Sequence, residues 1–162
     1  LFVPVLISPT KSGQASVTPA PLRARMVELA IQEEPRWELS DIELSRAGVS
    51  YTVDTLRQLR KIYPLPHKLF FIAGADSYLD LAKWKKPEEI MRLSEWIVAP
   101  RPSSRLPSKL PPRFHLLRMP PVEISASELR DKIEQGKNVS AWVPSQVKNY
   151  LKRMKIYREK VS

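Results

Sequence analysis

Apolar and polar positions alternate along this chain in blocks that predict both strands and helices. Apolar runs of strand length lie at residues 1–7, 68–73, 95–99 and 114–119. Between and after them, apolar residues recur at helical spacing, which predicts amphipathic helices. Because strands and helices alternate in the middle of the chain, the pattern predicts an α/β fold with a mostly parallel sheet. The predicted helices start near Pro21, span about 52–63, 77–82 and 87–93, lie between Ser125 and Gly136, and open again at Pro144.

The first and last of these helices carry apolar stripes that predict burial. The run at 68–73 is apolar at successive positions, as in a parallel strand covered on both faces. The stripe residues are Leu22, Met26, Leu29 and Ala30 in the first helix, and Val147, Tyr150, Leu151 and Met154 in the last.

The helix between Ser125 and Gly136 has the best-formed local signal in the sequence. Ser125 is the predicted N-cap, and Glu128 stands three residues later, which completes a capping box. Gly136 is suited to the C′ position after the last turn.

Composition narrows the class of protein. The chain has 162 residues and a formal net charge of +10, from 27 basic and 17 acidic residues, so an anionic partner or substrate is predicted. With 0 cysteines and 2 histidines, neither disulfides nor a Cys- or His-based metal site is expected. No apolar run approaches the ~18 residues of a membrane helix. We expect one domain over residues 1–162, a cytoplasmic location and no membrane partner.

Residues 99–121 contain seven prolines and five basic residues but no acidic residue, which predicts an exposed basic loop. Such a loop can be merely solvated or can contact an anion. A nucleic-acid-binding module is a further alternative, and it would bind with a strong salt dependence. Nucleic acid is not the favoured partner, because the aromatic-plus-basic motifs of the standard modules do not occur in the chain.

Ligands of open parallel sheets bind beyond the carboxyl ends of the strands. The run 68–73 leads into Gly74, Asp76 and Ser77. A glycine there lets a ligand approach the backbone closely, and an aspartate can accept hydrogen bonds from ribose hydroxyls. Asp76 can equally be the N-cap of the helix that follows.

The helix that begins after Ser125 offers a second candidate site. Its first turn has free N–H groups and the positive end of the helix dipole, and Ser127 and Arg130 lie three residues apart on one face. A hydroxyl, backbone donors and a permanently charged guanidinium suit a polyphosphate.

Aromatic and hydroxyl side chains supply further candidates. Trp84, between Lys83 and Lys85, is either a stacking platform for a planar ring or a core residue. Ser50, Tyr51 and Thr52 stand at the start of a predicted helix, where they could cap it or hold a small carboxylate.

Taken in order, these segments resemble the bacterial nicotinate-nucleotide adenylyltransferase family. The match is spread over nearly the whole chain, although the Ile124-to-Arg130 segment is shared with other adenylyltransferases of the same superfamily. The segments that carry the resemblance are Arg23-x-x-Met26, Glu43 to Leu56 with Ser50-Tyr51-Thr52-Val53-Asp54-Thr55-Leu56, Phe71-Ile72-x-Gly74-x-Asp76-Ser77, Trp84, Ile97-Val98-x-x-Arg101-Pro102 and Ile124-Ser125-x-Ser127-x-x-Arg130.

The resemblance implies a Rossmann-like nucleotidyltransferase fold and a reaction. The phosphate of nicotinate mononucleotide would attack the α-phosphate of ATP, with Mg²⁺, and give nicotinate adenine dinucleotide and pyrophosphate. No covalent nucleophile is needed, because alignment and charge stabilisation dominate such transfers. The oligomeric state stays open. The implied site residues are Ser50, Tyr51, Thr52, Asp76, Trp84 and Lys85 for the nicotinate nucleotide; Gly74, Asp76, Ser77, Arg101, Ile124, Ser125, Ser127 and Arg130 for ATP; and Lys11, Ser127 and Arg130 for catalysis, with no side chain assigned to a metal.

Two departures from the family pattern matter. The family opens with a strand and a His-x-x-His-like phosphate motif, whereas the run 1–7 resembles its second strand, so we expect an N-terminally incomplete sequence. After that run, Thr10 stands where the family often has histidine, while Lys11 is kept. Because such histidines are expected to stabilise the transferring phosphate, a non-catalytic nucleotide-binding remnant is the alternative to an enzyme. The preference for the acid over the amide mononucleotide rests on the resemblance alone.

Overall fold

A computed structural model of the chain describes residues 1–9, 18–101, 104, 106–107, 109–120 and 124–157. The chain divides into two compact units, one of residues 1–49 and 124–162 and the other of residues 50–123. The expectation of a single domain stays a prediction. The elements are α1 (Ala20–Ile31), α2 (Thr52–Ile62), β1 (Phe70–Gly74), α3 (Ala75–Asp80), a 3₁₀ turn (Leu81–Lys83), α4 (Pro87–Leu93), β2 (Glu95–Ala99), β3 (Phe114–Leu116), α5 (Ala126–Glu134) and α6 (Ser145–Arg153).

The unit of residues 50–123 contains the predicted parallel sheet, in the order β1-β2-β3. Phe70 pairs with Glu95 and Gly74 with Ala99, so β1 and β2 end at the same edge of the sheet. Alternate residues of β2 face the core, where Trp96 and Val98 are fully buried. The sheet therefore brings the residue that follows each of these strands to one edge.

Helices α2 and α4 supply the other side of this core. Val53, Leu56 and Ile90 are buried with the inward residues of β1 and β2. Helix α4 begins with Pro87 in its first turn, as predicted, because proline is preorganised for that position. Helix α2 ends one residue earlier than predicted, with Tyr63 as its C-cap.

The opposite face of β1 is exposed among the described residues. Phe70 is 49% and Ile72 is 70% exposed, whereas Ala73 is buried. The prediction that this run is covered on both faces is therefore wrong for the structure described. A continuous apolar run indicates that burial is favourable, but it does not state how many faces a neighbour covers.

The other unit packs α1 against α6. Leu22, Met26 and Leu29 contact a cluster of buried residues formed by Val147, Tyr150, Leu151 and Ile156. Two stripe predictions are wrong: Ala30 and Met154 are exposed. Ile31 is buried instead at the end of α1. Met154 lies past the last helical residue, and Lys155 then turns the chain at φ +52°, which places Ile156 in the cluster instead.

The N-terminal run 1–7 is not the continuous strand that its apolar residues predict. It makes two isolated parallel bridges, from Phe2 to Leu39 and from Ile7 to Val49. Pro4 has no N–H to donate to a ladder, which explains the gap between the bridges. The Arg23 side chain of α1 instead donates to the carbonyl oxygens of Val5, at 2.6 Å, and Leu6, at 3.2 Å.

Candidate functional site

Gly74 ends β1 and is the N-cap of α3. Its backbone is extended, with φ −72° and ψ 160°, so any residue could adopt it. A Cβ at this position would nevertheless overlap Oδ1 of Asp76 and would lie 3.0 Å from Nε of Arg101. Glycine at this position leaves the space beside its Cα that these two side chains occupy.

Asp76 and Arg101 form an ion pair at this edge of the sheet. Nε of Arg101 lies 3.4 Å from Oδ1 of Asp76, and the two side chains are 50% and 55% exposed. Asp76 stands in the first turn of α3 and makes no cap hydrogen bond, because the N-cap is Gly74. The alternative that Asp76 is the N-cap is therefore wrong. Ser77, the next residue of α3, is half-buried.

The start of α2 carries hydroxyl groups that do not cap the helix. Tyr51 is the N-cap and makes no side-chain cap hydrogen bond, so the capping interpretation of this segment is wrong. Ser50 is 5% exposed, and its Oγ has no hydrogen-bond partner among the described residues. An unsatisfied buried polar group costs about 1–3 kcal/mol, and an ordered water or a ligand can satisfy it. Thr52, the first helical residue, is half-buried.

Trp84 and Lys85 come from the segment between the 3₁₀ turn and α4. Trp84 is half-buried, with its ring centroid 6.0 Å from that of Phe71 and 5.7 Å from that of Trp96. Trp84 therefore contacts the core, in line with its interpretation as a core residue. Nζ of Lys85 lies 4.2 Å from the centroid of the Tyr51 ring, a cation–π distance, and 3.1 Å from Oδ2 of Asp54.

A chain of ion pairs holds this segment to α2. Arg57 donates to Oδ1 of Asp54, at 2.9 Å, and to both carboxylate oxygens of Glu89, at 2.7 Å each. The guanidinium holds the pKa of the Glu89 carboxyl below its ordinary value, and the hydrogen bonds to Glu89 raise the pKa of Arg57. Sequence analysis misses this network: the three-residue spacing of Asp54 and Arg57 is a visible signal, but nothing local points to Glu89.

In the other unit, the capping box at α5 is present as predicted. Ser125 Oγ accepts from the N–H of Glu128 at 3.1 Å, and the Glu128 carboxylate accepts from the N–H of Ser125 at 2.6 Å. Hydrogen bonds from Ser125, the backbone one foremost, hold the pKa of the Glu128 carboxyl below its ordinary value. Gly136 stands one residue after the C-cap, at φ +67°, as predicted.

The polar residues of α5 also contact each other. Nη2 of Arg130 donates to Oγ of Ser127 at 3.1 Å, and its guanidinium carbon lies 6.0 Å from the centroid of the Tyr157 ring. Ser127 is exposed, while Arg130 and Ile124 are half-buried. A hydroxyl and a guanidinium are therefore adjacent, and both groups can donate hydrogen bonds to a phosphate.

The structure thus gathers the predicted site residues into two groups, one in each unit. Lys11 lies outside the described residues. Within the described ranges, no cluster of three or more His, Asp or Glu side chains could hold a metal ion, and no helix is long and apolar enough to cross a membrane. The group of residues 50–123 contains Ser50, Tyr51, Thr52, Gly74, Asp76, Ser77, Trp84, Lys85 and Arg101, and the group of the other unit contains Ile124, Ser125, Ser127 and Arg130.

Comparison with known proteins gives one consistent answer. The cytidylyltransferase-like family matches residues 1–132. A probable nicotinate-nucleotide adenylyltransferase of Thermus thermophilus is 39% identical over 98% of this chain and 82% of its own length. One of Desulfitobacterium hafniense is 34% identical over 98% of this chain and 80% of its own length. The chain belongs to the nicotinate-nucleotide adenylyltransferase family.

Solved structures support the same fold. The nicotinic acid mononucleotide adenylyltransferase of Plasmodium falciparum complexed with NaAD has a TM-score of 0.76 at 19% identity, covering 96% of this chain and 80% of that one. The same enzyme complexed with APC has a TM-score of 0.72 at 20% identity, covering 89% and 78%. The predicted Rossmann-like nucleotidyltransferase fold is confirmed. Family membership supports an enzyme of this type over a nucleic-acid-binding module.

Proposed function

We propose that this protein transfers the adenylyl group of ATP to nicotinate mononucleotide, a step of NAD biosynthesis. A phosphate oxygen of the mononucleotide attacks the α-phosphorus of ATP, the bond to the β-phosphate breaks, and pyrophosphate leaves with the electron pair. The observation that carries this proposal is the family match over 98% of the chain at 34% and 39% identity. The chemistry of the two residue groups supports it.

The residues around the start of α2 suit the nicotinate nucleotide. The uncapped first turn and the Ser50 hydroxyl, which has no partner among the described residues, offer donors to a carboxylate. Lys85 brings a positive charge beside the Tyr51 ring. In our proposal Tyr51 and Thr52 meet the nicotinate carboxylate, and Trp84, which lies in an aromatic cluster, stacks on the pyridine ring.

The residues at the sheet edge suit the nucleotide sugar and phosphates. Gly74 leaves space for Asp76 and Arg101, so a carboxylate acceptor and a guanidinium donor stand side by side, with Ser77 on the same helix as Asp76. An aspartate can accept from ribose hydroxyls, and an arginine can donate to phosphate oxygens. We assign Asp76 to both nucleotides and Gly74, Ser77 and Arg101 to ATP.

The residues of α5 suit the triphosphate. Ile124 and Ser125 lead into the helix, and Ser127 and Arg130 present a hydroxyl and a guanidinium in hydrogen-bond contact. Donors fixed before the reaction stabilise the charge that develops on the transferring phosphate. Ser127 and Arg130 are thus the catalytic residues of the proposal, together with Lys11.

A divalent metal and the cellular location complete the proposal. Enzymes that transfer groups from ATP generally use a divalent cation, which neutralises charge on the phosphates. We propose Mg²⁺, which keeps several waters and binds through substrate phosphates, so it would enter with ATP. The Asp76 carboxylate at the sheet edge is paired with Arg101, so we assign no side chain of this chain to the metal. The location we propose is the cytoplasm.

Release of pyrophosphate tests the function. The protein as its gene encodes it should release pyrophosphate from ATP only when nicotinate mononucleotide is present. Arg130→Ala should lower kcat/KM by about 10- to 150-fold, the range of a charged hydrogen bond of about 1.5–3 kcal/mol. Arg153→Ala is the matched control, because that guanidinium also lies over a tyrosine ring, Tyr150, at 5.7 Å. Absence of turnover with every mononucleotide would contradict the proposal, and equal losses in both variants would contradict the role of Arg130.

A further inference from the structure

The unit of residues 1–49 and 124–162 separates its charges into two regions. From Arg25 to Glu43 the chain has six acidic and two basic residues, whereas from Arg130 to Lys155 it has seven basic and two acidic residues. The acidic region is the exception in a chain whose formal net charge is +10. Such a separation favours contact between the acidic region of one molecule and the basic region of another.

The acidic region contains a groove with an exposed aromatic ring. Trp37 is 50% exposed, and its ring centroid lies 5.5 Å from that of Phe2. Glu28 and Glu34 each pair with an arginine, but the Glu38 carboxylate has no partner within the described ranges. An exposed apolar surface with a polar rim is typical of an interaction site. The groove has a volume of about 490 Å³, and its lining includes Glu28, Ile31, Glu34, Trp37, Glu38 and Leu39.

The basic region presents a side chain that fits this groove. Met154 is 47% exposed and directly follows the last residue of α6. Its neighbours Lys152, Arg153 and Lys155 are also exposed, and none of them forms an ion pair with another residue that the structure describes. A thioether packs favourably against an aromatic ring. Met154 and the cations around it therefore complement an indole that is surrounded by carboxylates.

The groove and Met154 lie at opposite ends of the pair formed by α1 and α6. Gln146, at the start of α6, donates to the carboxylate of Glu33, just after α1. Thr18, just before α1, donates to the hydroxyl of Tyr157, beyond α6, at 2.8 Å. The two helices are therefore antiparallel. Because α1 has 12 residues, or about 18 Å of helix, Met154 lies away from the groove of its own molecule, so the occupant comes from a second copy.

We propose that the chain associates head to tail, with Met154 and its basic neighbours in one copy bound to the acidic groove of the next. The two surfaces differ, so the contact is heterologous and leaves a free groove and a free α6 end on every pair. One methionine and a few ion pairs bury less than the about 1,200 Å² of a stable interface. The association is therefore weak and depends on concentration. It is independent of the proposed function, because neither surface contains a residue assigned to a substrate.

Analytical ultracentrifugation of the full-length protein over a range of concentrations tests the proposal. At low salt the mean mass should rise with concentration, and at high salt it should fall, because the Debye length shortens from about 10 Å at 0.1 M to about 3 Å at 1 M. Glu38→Lys should weaken the association at least about tenfold, since it places like charges opposite each other. Glu88→Lys is the matched control: it makes the same charge change on an exposed residue of α4 and should leave the association unchanged.

Two variants of the basic region complete the test, and urea unfolding of each variant checks that it is folded. Met154→Ala should weaken the association by about 2- to 10-fold, the range of a sulfur–aromatic contact. Lys152→Glu should weaken it like Glu38→Lys, but a mixture of these two variants should associate again, because every contact between them pairs opposite charges. A monomer at every concentration, or unchanged association in Glu38→Lys or Met154→Ala, would overturn the proposal. A monomer that binds a single-stranded oligonucleotide through Lys152 would overturn it too, by assigning the basic surface to nucleic acid.

Discussion

Replacing Gly74 with alanine should damage activity while leaving the protein folded. The added Cβ would overlap Oδ1 of Asp76 and would lie 3.0 Å from Nε of Arg101. Both neighbours are the ends of half-exposed side chains, so they can move aside without disturbing the core. The substitution therefore displaces the carboxylate that the proposed site presents to the nucleotide.

The structure gives the size of each effect. The backbone of Gly74 suits alanine, so loss of glycine's freedom in the unfolded chain stabilises by about 0.4–1 kcal/mol. Loss of a good N-cap destabilises by a similar amount, about 1 kcal/mol. The surface ion pair contributes only about 0–1 kcal/mol. Stability should thus change by no more than about 1 kcal/mol, whereas a displaced charged acceptor costs about 10- to 150-fold in kcat/KM.

Urea unfolding and pyrophosphate release, measured on the same preparations, separate these effects. Gly136→Ala is the control, because that glycine has φ +67° and open space where an alanine Cβ would stand. It should lose stability and keep its kcat/KM. If Gly74 acts through Asp76, the double variant with Asp76→Ala should be no worse than Asp76→Ala alone. Full activity of Gly74→Ala, or multiplying losses in the double variant, would refute the reasoning.

Three further outcomes concern stability. Ser125→Ala should destabilise the protein by about 1 kcal/mol in urea unfolding, since it removes an N-cap; an unchanged midpoint would contradict the capping geometry. Ile90→Ala should cost about 2–5 kcal/mol, as a fully buried residue, while Ile62→Ala, at a 60% exposed position, should cost far less. The stabilisation from Glu89 should be complete above the ordinary carboxyl pKa and disappear as the pH falls through its lower folded pKa. Glu89→Gln should therefore be less stable than the unsubstituted protein at neutral pH and equal to it in acid, and a gap that persists in acid would contradict the pairing with Arg57.

Local signals predict the fold well where neighbouring residues decide the structure. The capping box at Ser125, the proline that opens α4 and the bounds of β2 are all correct, because each depends on residues within one or two turns. Distant pairing is harder to predict. The run 1–7 has the apolar content of a strand, yet Pro4 reduces it to two bridges. Ile156 is buried instead of Met154 because α6 ends at Arg153.

In the candidate site, too, local sequence signals identify residues but do not predict their distant contacts. Types of residue and their order along the chain single out Gly74 and Asp76, and the family resemblance adds Arg101. The contact between Asp76 and Arg101, and their closeness to Gly74, depend on β1 and β2 ending at one edge. The tie between Arg57 and Glu89 spans 32 residues, so only the packing of α4 beside α2 reveals it.

In the proposed site, the double restraint on Lys85 bears on how tightly a ligand would bind. A lysine that is free in solution loses rotamer entropy of up to about 2 kcal/mol when a ligand immobilises it. Here that ordering has taken place before the ligand arrives, through contacts with Asp54 and Tyr51. Preorganisation of this kind raises affinity without adding a contact. The same restraint limits the lysine's reach, so ligands whose anionic group sits elsewhere on the ring gain little from it.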